Sequence, residues 1–193
     1  MNDKKSRLLK CGKELFEAKG FKDAKVSEIT DMANIATGSF YNYFSSKDEL
    51  FMEIFLEENL KLKKKIMEQV NVNDDPMKVM KTLMFLNDKG MRENPILKEW
   101  YNKDVFSKIE QKYREDNNLD QMNFLYEHFT KVIKQWQSEG KIRSDIEVEM
   151  IMAIFTALIM IETHKEEIGI QYFPKLLEYL ANFVMKGLMD TSK

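Results

Sequence analysis

The side chains of this chain that are best suited to recognition chemistry lie close together between residues 37 and 43. They offer hydroxyls, a carboxamide and flat phenol rings, and none carries a charge; they are Thr37, Ser39, Tyr41, Asn42 and Tyr43. Groups of this kind hydrogen-bond to base edges and to phosphates in the major groove of duplex DNA. The segment therefore predicts a surface that can read DNA.

The apolar residues around this segment predict the elements that would position it. They fall into two groups, and within each group they recur about one helical turn apart. The first group is Val26, Ile29 and Ala33, the second is Phe40 and Phe44, and Ile35 lies between the groups. This pattern predicts two short helices near 26–33 and 37–43, joined by a tight turn, with Ile35 filling the gap where they cross. Phe40 and Phe44 are expected in the core. This is the spacing of a helix-turn-helix.

A longer set of ordered positions resembles a known family. The set comprises Gly20-Phe21, Val26-x-x-Ile29, Ala33-x-Ile35-x-x-Gly38-Ser39-Phe40-Tyr41-x-Tyr43-Phe44 and Ser46-Lys47-Asp48-Glu49-Leu50. Over roughly residues 5–55 it is similar to the N-terminal domain of the tetracycline-repressor (TetR) family of transcription regulators. The resemblance implies a helix-turn-helix DNA-binding domain at 1–46 and a helical ligand-binding and dimerisation domain at 47–193.

Roles in DNA binding follow partly from side-chain chemistry and partly from the resemblance. Thr37, Ser39 and Asn42 are candidates for base edges, since an asparagine can pair bidentately with adenine. Candidates for phosphate contacts are Lys25, Ser27, Tyr41, Tyr43 and Lys47, the tyrosine and lysine roles being those that the resemblance implies.

Several positions depart from the family pattern. Ala24-Lys25 replaces a Thr-Thr or Thr-Ser pair, so a capping hydroxyl is missing, and Lys25 can supply a charge but cannot cap. Thr30 replaces a small alanine between the two helices. Asn34 replaces the usual glycine of the turn, and asparagine tolerates the left-handed conformation. Ala36 replaces a serine, so either Thr37 caps the reading helix or the helix begins uncapped.

Composition indicates an all-α chain. The 193 residues include only 7 Gly and 3 Pro, and no strand-like alternation with hairpin turns occurs. About nine helices are expected. The net charge of −2 argues against a protein that covers nucleic acid non-specifically along its length. The basic cluster Lys4, Lys5, Arg7 and Lys10 is either a phosphate-facing patch or a solvated helix end, and charge alone does not decide between them.

The single cysteine, Cys11, excludes an internal disulfide, indicates an intracellular (cytoplasmic) protein, and is expected to be a buried structural thiol. No signal peptide is expected, because Met1 is followed by polar and charged residues. The longest apolar run, 150–161, has 12 residues, whereas a membrane span needs about 20. No contact with a membrane is expected.

The remaining helices are predicted from periodicity and caps. The first is expected at about 3–19 and ends at Gly20, since glycine just past a helix is the usual stop. Ser46-x-x-Glu49 is a capping box that opens a helix from 47 towards 70, and helices are expected at 76–92, 103–115 and 119–139. Ser144-x-x-Glu147 is a second capping box, opening a helix at 145–165, and a last helix follows at 174–189. These last two are apolar on more than one face, which favours a homodimer bundle. The alternative is that those faces pack on other helices of the same chain.

A small-molecule effector, apolar or amphipathic, is predicted from the middle of the chain. Methionines (14 in all) and aromatic rings suit an adaptable apolar pocket, and the candidate lining is Met84, Phe85, Trp100, Tyr101, Phe124, Tyr126, His128 and Phe129. The alternative is an ordinary core. No cofactor and no metal site are expected, because Glu162-x-His164-x-Glu166 spreads its side chains over different faces of a helix.

The sequence thus predicts a ligand-responsive transcriptional regulator, a repressor by the family's usual mode, that binds a palindromic operator as a homodimer. In the family, the ligand shifts the long fourth helix and changes the distance between the reading heads, which are the two helix-turn-helix domains of the dimer. Two alternatives remain open: a helical ligand-binding or scaffold protein of the same fold that no longer binds DNA, and an all-helical enzyme with a dispersed site. No glycine-rich phosphate loop supports the enzyme.

Overall fold

The computed structural model describes residues 3–102, 105, 120–161, 164–173 and 175–191, and within these ranges it contains helices and no strand. The α-helices are α1 (Asp3–Asp23), α2 (Val26–Met32), α3 (Thr37–Phe40), α4 (Lys47–Gln69), α5 (Pro76–Glu93), α6 (Asp120–Ser138), α7 (Val148–Ile161), α8 (Lys165–Ile168) and α9 (Lys175–Met189). Short 3-10 helices occupy Leu97–Tyr101 and Ile170–Tyr172. The predicted all-α fold class is confirmed. None of these helices is both long and apolar enough to cross a bilayer.

The chain forms two compact units. The first comprises Met1–Lys65 and Leu86–Asn118, and the second comprises Ile66–Phe85 and Leu119–Lys193. Helices α4 and α5 therefore each contribute residues to both units. The predicted functional boundary at residue 46 stays a prediction. The helix expected at 103–115 lies, apart from Val105, outside the described residues.

The core of the first unit is built around aromatic rings on α1 and α4. The ring of Phe51 packs edge-on against Phe16, at 5.1 Å between centroids, and against Phe21, at 4.8 Å. Gly12 lets α1 approach α4, because a Cβ atom there would lie only 2.8 Å from Cδ2 of Leu50. These contacts fix the scaffold on which α2 and α3 rest.

Helix α1 does not end cleanly at Gly20, where the sequence predicts its end. Gly20 adopts a left-handed conformation (φ 78°), and a further turn continues to Asp23. Glycine is the residue that adopts this conformation without a steric penalty. The predicted break is therefore present, but it is a kink rather than a terminus.

A buried carboxylate, Glu58 on α4, joins three elements of the first unit. Its Oε1 accepts hydrogen bonds from the ammonium groups of Lys13 (2.8 Å) and Lys61 (3.0 Å), and its Oε2 accepts one from the Asn94 carboxamide (3.0 Å). Burial acts to raise the pKa of Glu58, but these hydrogen bonds outweigh burial and leave the pKa below its ordinary value of 4.5. The charged form of Glu58 therefore stabilises the folded state.

The second unit has its own core, formed where α6, α7 and α9 meet residues 79–80 and 83. Trp136 lies in it, and its indole N–H donates to the carbonyl of Val72 at 2.8 Å. A buried indole keeps its hydrogen bond in this way and pins the segment before α5.

Helix α7 begins at Val148, so the prediction that Ser144-x-x-Glu147 opens it at residue 145 is wrong. Arg143 forms a two-point ion pair with Asp145, at 2.6 and 2.5 Å. The carboxamide of Gln137 also donates to the carbonyls of Arg143 and Ile146. These contacts engage the segment before Val148 and compete with a helical turn there.

We predict that Glu58→Gln lowers the free energy of unfolding at pH 7 by about 1–3 kcal/mol, because two ammonium groups lose a charged acceptor. Stabilisation by a carboxylate of lowered pKa is present above pH 4.5 and is lost as the pH falls through the folded-state pKa. The difference between wild type and variant in urea unfolding should therefore shrink below about pH 4.5. The exposed residue Glu68 provides the control, Glu68→Gln; a pH-independent difference for Glu58→Gln would contradict this account.

Candidate nucleic-acid interface

The turn between α2 and α3 is set by Asn34, which adopts φ 52°. The N–H of Asn34 donates to the carbonyl of Asp31 (3.1 Å), and the N–H of Ile35 donates to the carbonyl of Thr30 (2.9 Å). This pair of bonds is the Schellman motif that closes a helix at a left-handed residue. Asparagine thus replaces the usual glycine, as predicted, and delivers Ile35 into the core, where it is buried.

The start of α2 is closed by Glu28, which the sequence analysis did not single out. The Glu28 carboxylate accepts the backbone N–H of Lys25 at 3.1 Å and pairs with the Lys19 ammonium of α1 at 2.6 Å. The hydrogen bond from Lys19, followed by that from the Lys25 backbone, lowers the pKa of Glu28. The Glu28 carboxylate at N3 thus supplies the return half of a capping box, a signal that Lys25-x-x-Glu28 carries in the sequence, while Lys25 at the N-cap has no side-chain oxygen to accept from the first turn.

Helix α3 is short and begins uncapped at Ala36, one of the two outcomes the sequence leaves open. It ends at Phe40 rather than at residue 43, and Tyr43 N–H bonds to the Phe40 carbonyl in a tightened turn. Phe40 and Phe44 are fully buried, so their predicted place in the core is confirmed.

The predicted reading residues largely face solvent. Lys25, Ser27, Thr37, Tyr41 and Asn42 are exposed, Tyr41 by 58%. Ser39 and Tyr43 are half-buried, and Tyr43 packs on the first core. Within the described part of the chain, the carboxamide of Asn42 contacts no partner, which leaves its donor and acceptor available.

Gly38 lies on the same surface and has space around it. It is exposed, and a Cβ atom built there would meet nothing within 4 Å. Neither packing nor a left-handed conformation therefore requires glycine at this helical position. A glycine at such a position leaves room for close approach by a group from outside the chain.

Buried Thr30 joins α2 to the first residue of α3. Its hydroxyl donates to the carbonyl of Ser27 at 2.9 Å and lies 3.0 Å from the hydroxyl of Thr37. Thr30 is 0% exposed, whereas Thr37 faces solvent. The position that departs from the family's alanine thus makes a polar bridge to a candidate reading residue.

Lys47, predicted to contact phosphate, lies at the start of α4 and is engaged by the fold itself. Its ammonium donates to the carbonyls of Phe21 (2.7 Å), Ala24 (2.8 Å) and Lys22 (3.3 Å) and lies 4.5 Å from the centre of the Phe21 ring. It therefore joins the end of α1 to the start of α4. A contact with DNA stays a prediction for this residue, as for the other seven.

Helix α4 begins close to its predicted start. Glu49 N–H donates to the Ser46 hydroxyl at 3.1 Å, which is the first half of the predicted capping box. The Glu49 carboxylate, however, accepts from the backbone and side chain of Ser45, both at 2.6 Å, rather than from the backbone of Ser46. The cap is therefore present, but the hydrogen bond to the Glu49 carboxylate comes from Ser45, one residue before the predicted donor.

Part of the N-terminal basic cluster is used within the fold. Arg7 donates to the Ala33 carbonyl at the end of α2, at 3.1 Å, and Lys5 pairs with Glu53 at 2.8 Å. Lys4 and Lys10 are exposed. Arg7 thus joins α1 to the end of α2, and Lys5 joins α1 to α4.

The predicted effector residues are distributed over both compact units. Trp100 and Tyr101 belong to the first, where Trp100 stacks on Phe55 and Tyr101 lies beside a polar recess of about 440 Å³ lined also by Arg92, Lys98, Glu99 and Asn102. The second unit contains Met84, Phe85, Phe124, Tyr126, His128 and Phe129. Of these, Phe85 and Tyr126 are exposed, while Phe129 packs on the second core. Their role in binding stays a prediction.

Among the described residues, metal-ligating side chains and the cysteine thiol are further groups that could form a site. No group of three or more metal-ligating side chains occurs among them, and Glu162 and Glu166 lie outside what can be described for their side chains. Cys11 is half-buried rather than buried, and burial followed by the neighbouring Glu14 raises the pKa of its thiol. The thiol is therefore protonated and weakly nucleophilic at neutral pH.

Comparison with known proteins identifies the segment that carries this geometry. Residues 8–54 match the family described as bacterial regulatory proteins, tetR family. The match contains all of α2 and α3 and most of α1, together with the eight predicted DNA-binding residues.

Relatives extend the likeness to most of the chain. An uncharacterised helix-turn-helix transcriptional regulator of Bacillus subtilis, YdgC, is 26% identical over 97% of this chain and 85% of its own length. The probable acrEF/envCD operon repressor of Escherichia coli is 24% identical over 78% of this chain and 73% of its own. The structure of FadR from Bacillus halodurans, a fatty acid degradation regulator, has a TM-score of 0.56 at 20% identity, covering 98% of this chain and 96% of that one, and shows the shared fold. These relatives are transcriptional regulators rather than enzymes.

Proposed function

We propose that this chain, which belongs to the tetR family of bacterial regulatory proteins, is a ligand-responsive repressor that binds a palindromic operator as a homodimer. The proposed DNA contacts are Thr37, Ser39 and Asn42 to base edges, and Lys25, Ser27, Tyr41, Tyr43 and Lys47 to phosphates, Lys47 acting through its charge because its three N–H groups donate to backbone carbonyls. Two copies of α3 would enter successive major grooves, with half-sites about 34 Å apart. Because its target is chromosomal DNA, the protein would act in the cytoplasm.

The observation that carries this proposal is the open surface of α3 on a rigid base. Phe40 and Phe44 are buried beneath the segment, Tyr41 and Asn42 are exposed, and a Cβ atom built on Gly38 would meet nothing within 4 Å. A solvent-facing glycine in a helix costs stability by about 0.8–1.0 kcal/mol relative to alanine. Close approach of a DNA backbone accounts for a glycine that the free protein does not need.

We predict opposite effects of Gly38→Ala on stability and on DNA binding. The variant should unfold at higher urea concentration, by about 0.5–1 kcal/mol, because alanine favours the helix and meets no neighbour. Its affinity for duplexes selected by the wild type from a random pool should fall at least about tenfold, because the methyl group occupies the space of the DNA backbone. Asn42→Ala should also lose affinity, by about 5–150-fold.

The exposed amide of Gln69, at the end of α4, provides the matched control for Asn42. Gln69→Ala removes a carboxamide outside the proposed interface and should bind the selected duplexes as the wild type does. Unchanged affinity in both Gly38→Ala and Asn42→Ala would contradict the assigned surface. If the wild type selects no duplex at all, the protein has instead kept the fold without the DNA-binding activity.

We propose that the homodimer forms through residues 145–165 and 174–189, which include α7 and α9. Both helices pack on the second core and yet expose large apolar side chains, with Ile159 68% and Phe183 65% exposed. Met150, Met160 and Tyr179 are exposed on the same two helices. Clusters of exposed apolar side chains of this kind mark protein–protein contacts.

Phe183→Lys should convert the protein from a dimer to a monomer at micromolar concentration, because it places a charge in the proposed apolar interface. Light scattering after size-exclusion chromatography measures the mass. Phe85→Lys is the control for oligomeric state, since Phe85 is also 65% exposed but lies on α5. A wild-type monomer, or a dimer that survives Phe183→Lys and also Ile159→Lys, would contradict the proposed interface.

We propose that an apolar or amphipathic small molecule releases the operator. The supporting observation is the set of apolar and aromatic side chains at the second unit's middle helices, of which Phe85 and Tyr126 are exposed. A panel of fatty acids, acyl thioesters and planar aromatic compounds should include members that lower affinity for the selected duplex at least about tenfold, by favouring a conformation with mis-spaced reading heads. Unchanged affinity across the whole panel would contradict an effector of this chemical class.

A further inference from the structure

Thr30 controls the hydrogen-bonding polarity of Thr37, a residue at the reading surface. Thr30 is 0% exposed, and its hydroxyl donates to the Ser27 carbonyl at 2.9 Å. A hydroxyl has one hydrogen, and a carbonyl can only accept. The hydrogen of Thr30 is therefore committed to Ser27.

The second contact of Thr30 then has only one possible donor. The two hydroxyl oxygens of Thr30 and Thr37 lie 3.0 Å apart, which is within hydrogen-bond range. Because the Thr30 hydrogen already points to Ser27, the hydrogen between the two oxygens belongs to Thr37. The bonds thus run in one direction, from Thr37 to Thr30 to the Ser27 carbonyl.

This order leaves the exposed Thr37 oxygen with lone pairs but no hydrogen for a partner in solvent. Phosphate oxygens accept hydrogen bonds and do not donate them, so Thr37 has nothing to offer a phosphate while the bridge is intact. Base edges in the major groove include donors, the amino groups at N6 of adenine and N4 of cytosine. The polarity of the hydroxyl therefore matches adenine or cytosine and rejects guanine and thymine on the contacted strand.

We propose that Thr30 is a positioning residue for operator specificity: from inside the fold it fixes Thr37 as an acceptor, so that Thr37 selects adenine or cytosine at one position of each half-site. This inference rests on the proposed DNA-binding function. It assigns a role to a residue that never touches DNA and that replaces the alanine typical of the family at this position.

The test is selection of duplexes from a random pool by the purified full-length protein and its variants. The wild type should enrich a palindrome with adenine or cytosine at one strand position, by about tenfold over guanine or thymine. Thr37→Val identifies that position, because the variant loses the preference there and keeps it elsewhere. Thr30→Val frees the Thr37 hydrogen, so the preference at the same position should fall below about twofold.

Thr30→Ser keeps the hydroxyl and should restore the wild-type preference, which separates polarity from packing. A purely structural role for Thr30 would weaken binding to all duplexes by the same factor and leave the base preference intact, and that result overturns the inference. So does a preference that survives Thr30→Val, or a Thr37→Val variant that selects the wild-type motif unchanged. If the wild type enriches no duplex, the DNA-binding function itself fails; if it enriches one and only these variants disagree, the function stands and the role of Thr30 falls.

Discussion

The reading surface depends on one cation. The Lys47 ammonium accepts no hydrogen bond and donates to carbonyls of Phe21, Lys22 and Ala24, where α1 has been kinked by Gly20 and α2 has not yet begun. These carbonyls lie past the regular part of α1 and before α2, so they need donors from elsewhere. One side chain at the start of α4 supplies them. The end of α1, the approach to α2 and the start of α4 therefore share a single charged group.

On this base, the elbow of α2 and α3 is assembled from short-range contacts. Glu28 closes the start of α2 and ties it to Lys19, Asn34 closes its end, and the Thr30–Thr37 bridge joins it to α3. The aromatic pair Phe40 and Phe44 then fastens α3 to the core. Each of these contacts fixes an orientation, which is what a surface complementary to base edges requires.

The features that local chemistry dictates could be predicted from the sequence. The apolar period of α2 and α3, the left-handed Asn34 and the serine half of the cap at Ser46 all depend on residues within a few positions of one another. The prediction of α7 at residue 145 was wrong because the Arg143–Asp145 pair and the carboxamide of Gln137 compete with the cap. A capping motif records one local preference and reveals neither a competing ion pair beside it nor a carboxamide such as that of Gln137, which comes from α6.

In the candidate site, too, the features that depend on local sequence were predictable and those that depend on tertiary contacts were not. Exposure of Tyr41 and Asn42 follows from helical periodicity, whereas the bridge from Thr30 to Thr37 and the three carbonyls on Lys47 are tertiary contacts without a sequence signature. The effector residues were the least predictable, because a methionine or an aromatic ring at helical spacing fits a core as well as a pocket. The structure accordingly places Phe129 on the second core and stacks Trp100 on Phe55.

The brevity of α3 also bears on the design of synthetic DNA-reading peptides. With four residues, Thr37–Phe40, and no side-chain cap, it is far below the length of about 12–15 residues at which an isolated helix persists in water. Its conformation is held by the packing of the aromatic rings beneath it and by the turn before it. A peptide copied from residues 26–44 would lose that shape, and a miniature reader based on this protein has to carry α1 and the first turns of α4 along with it.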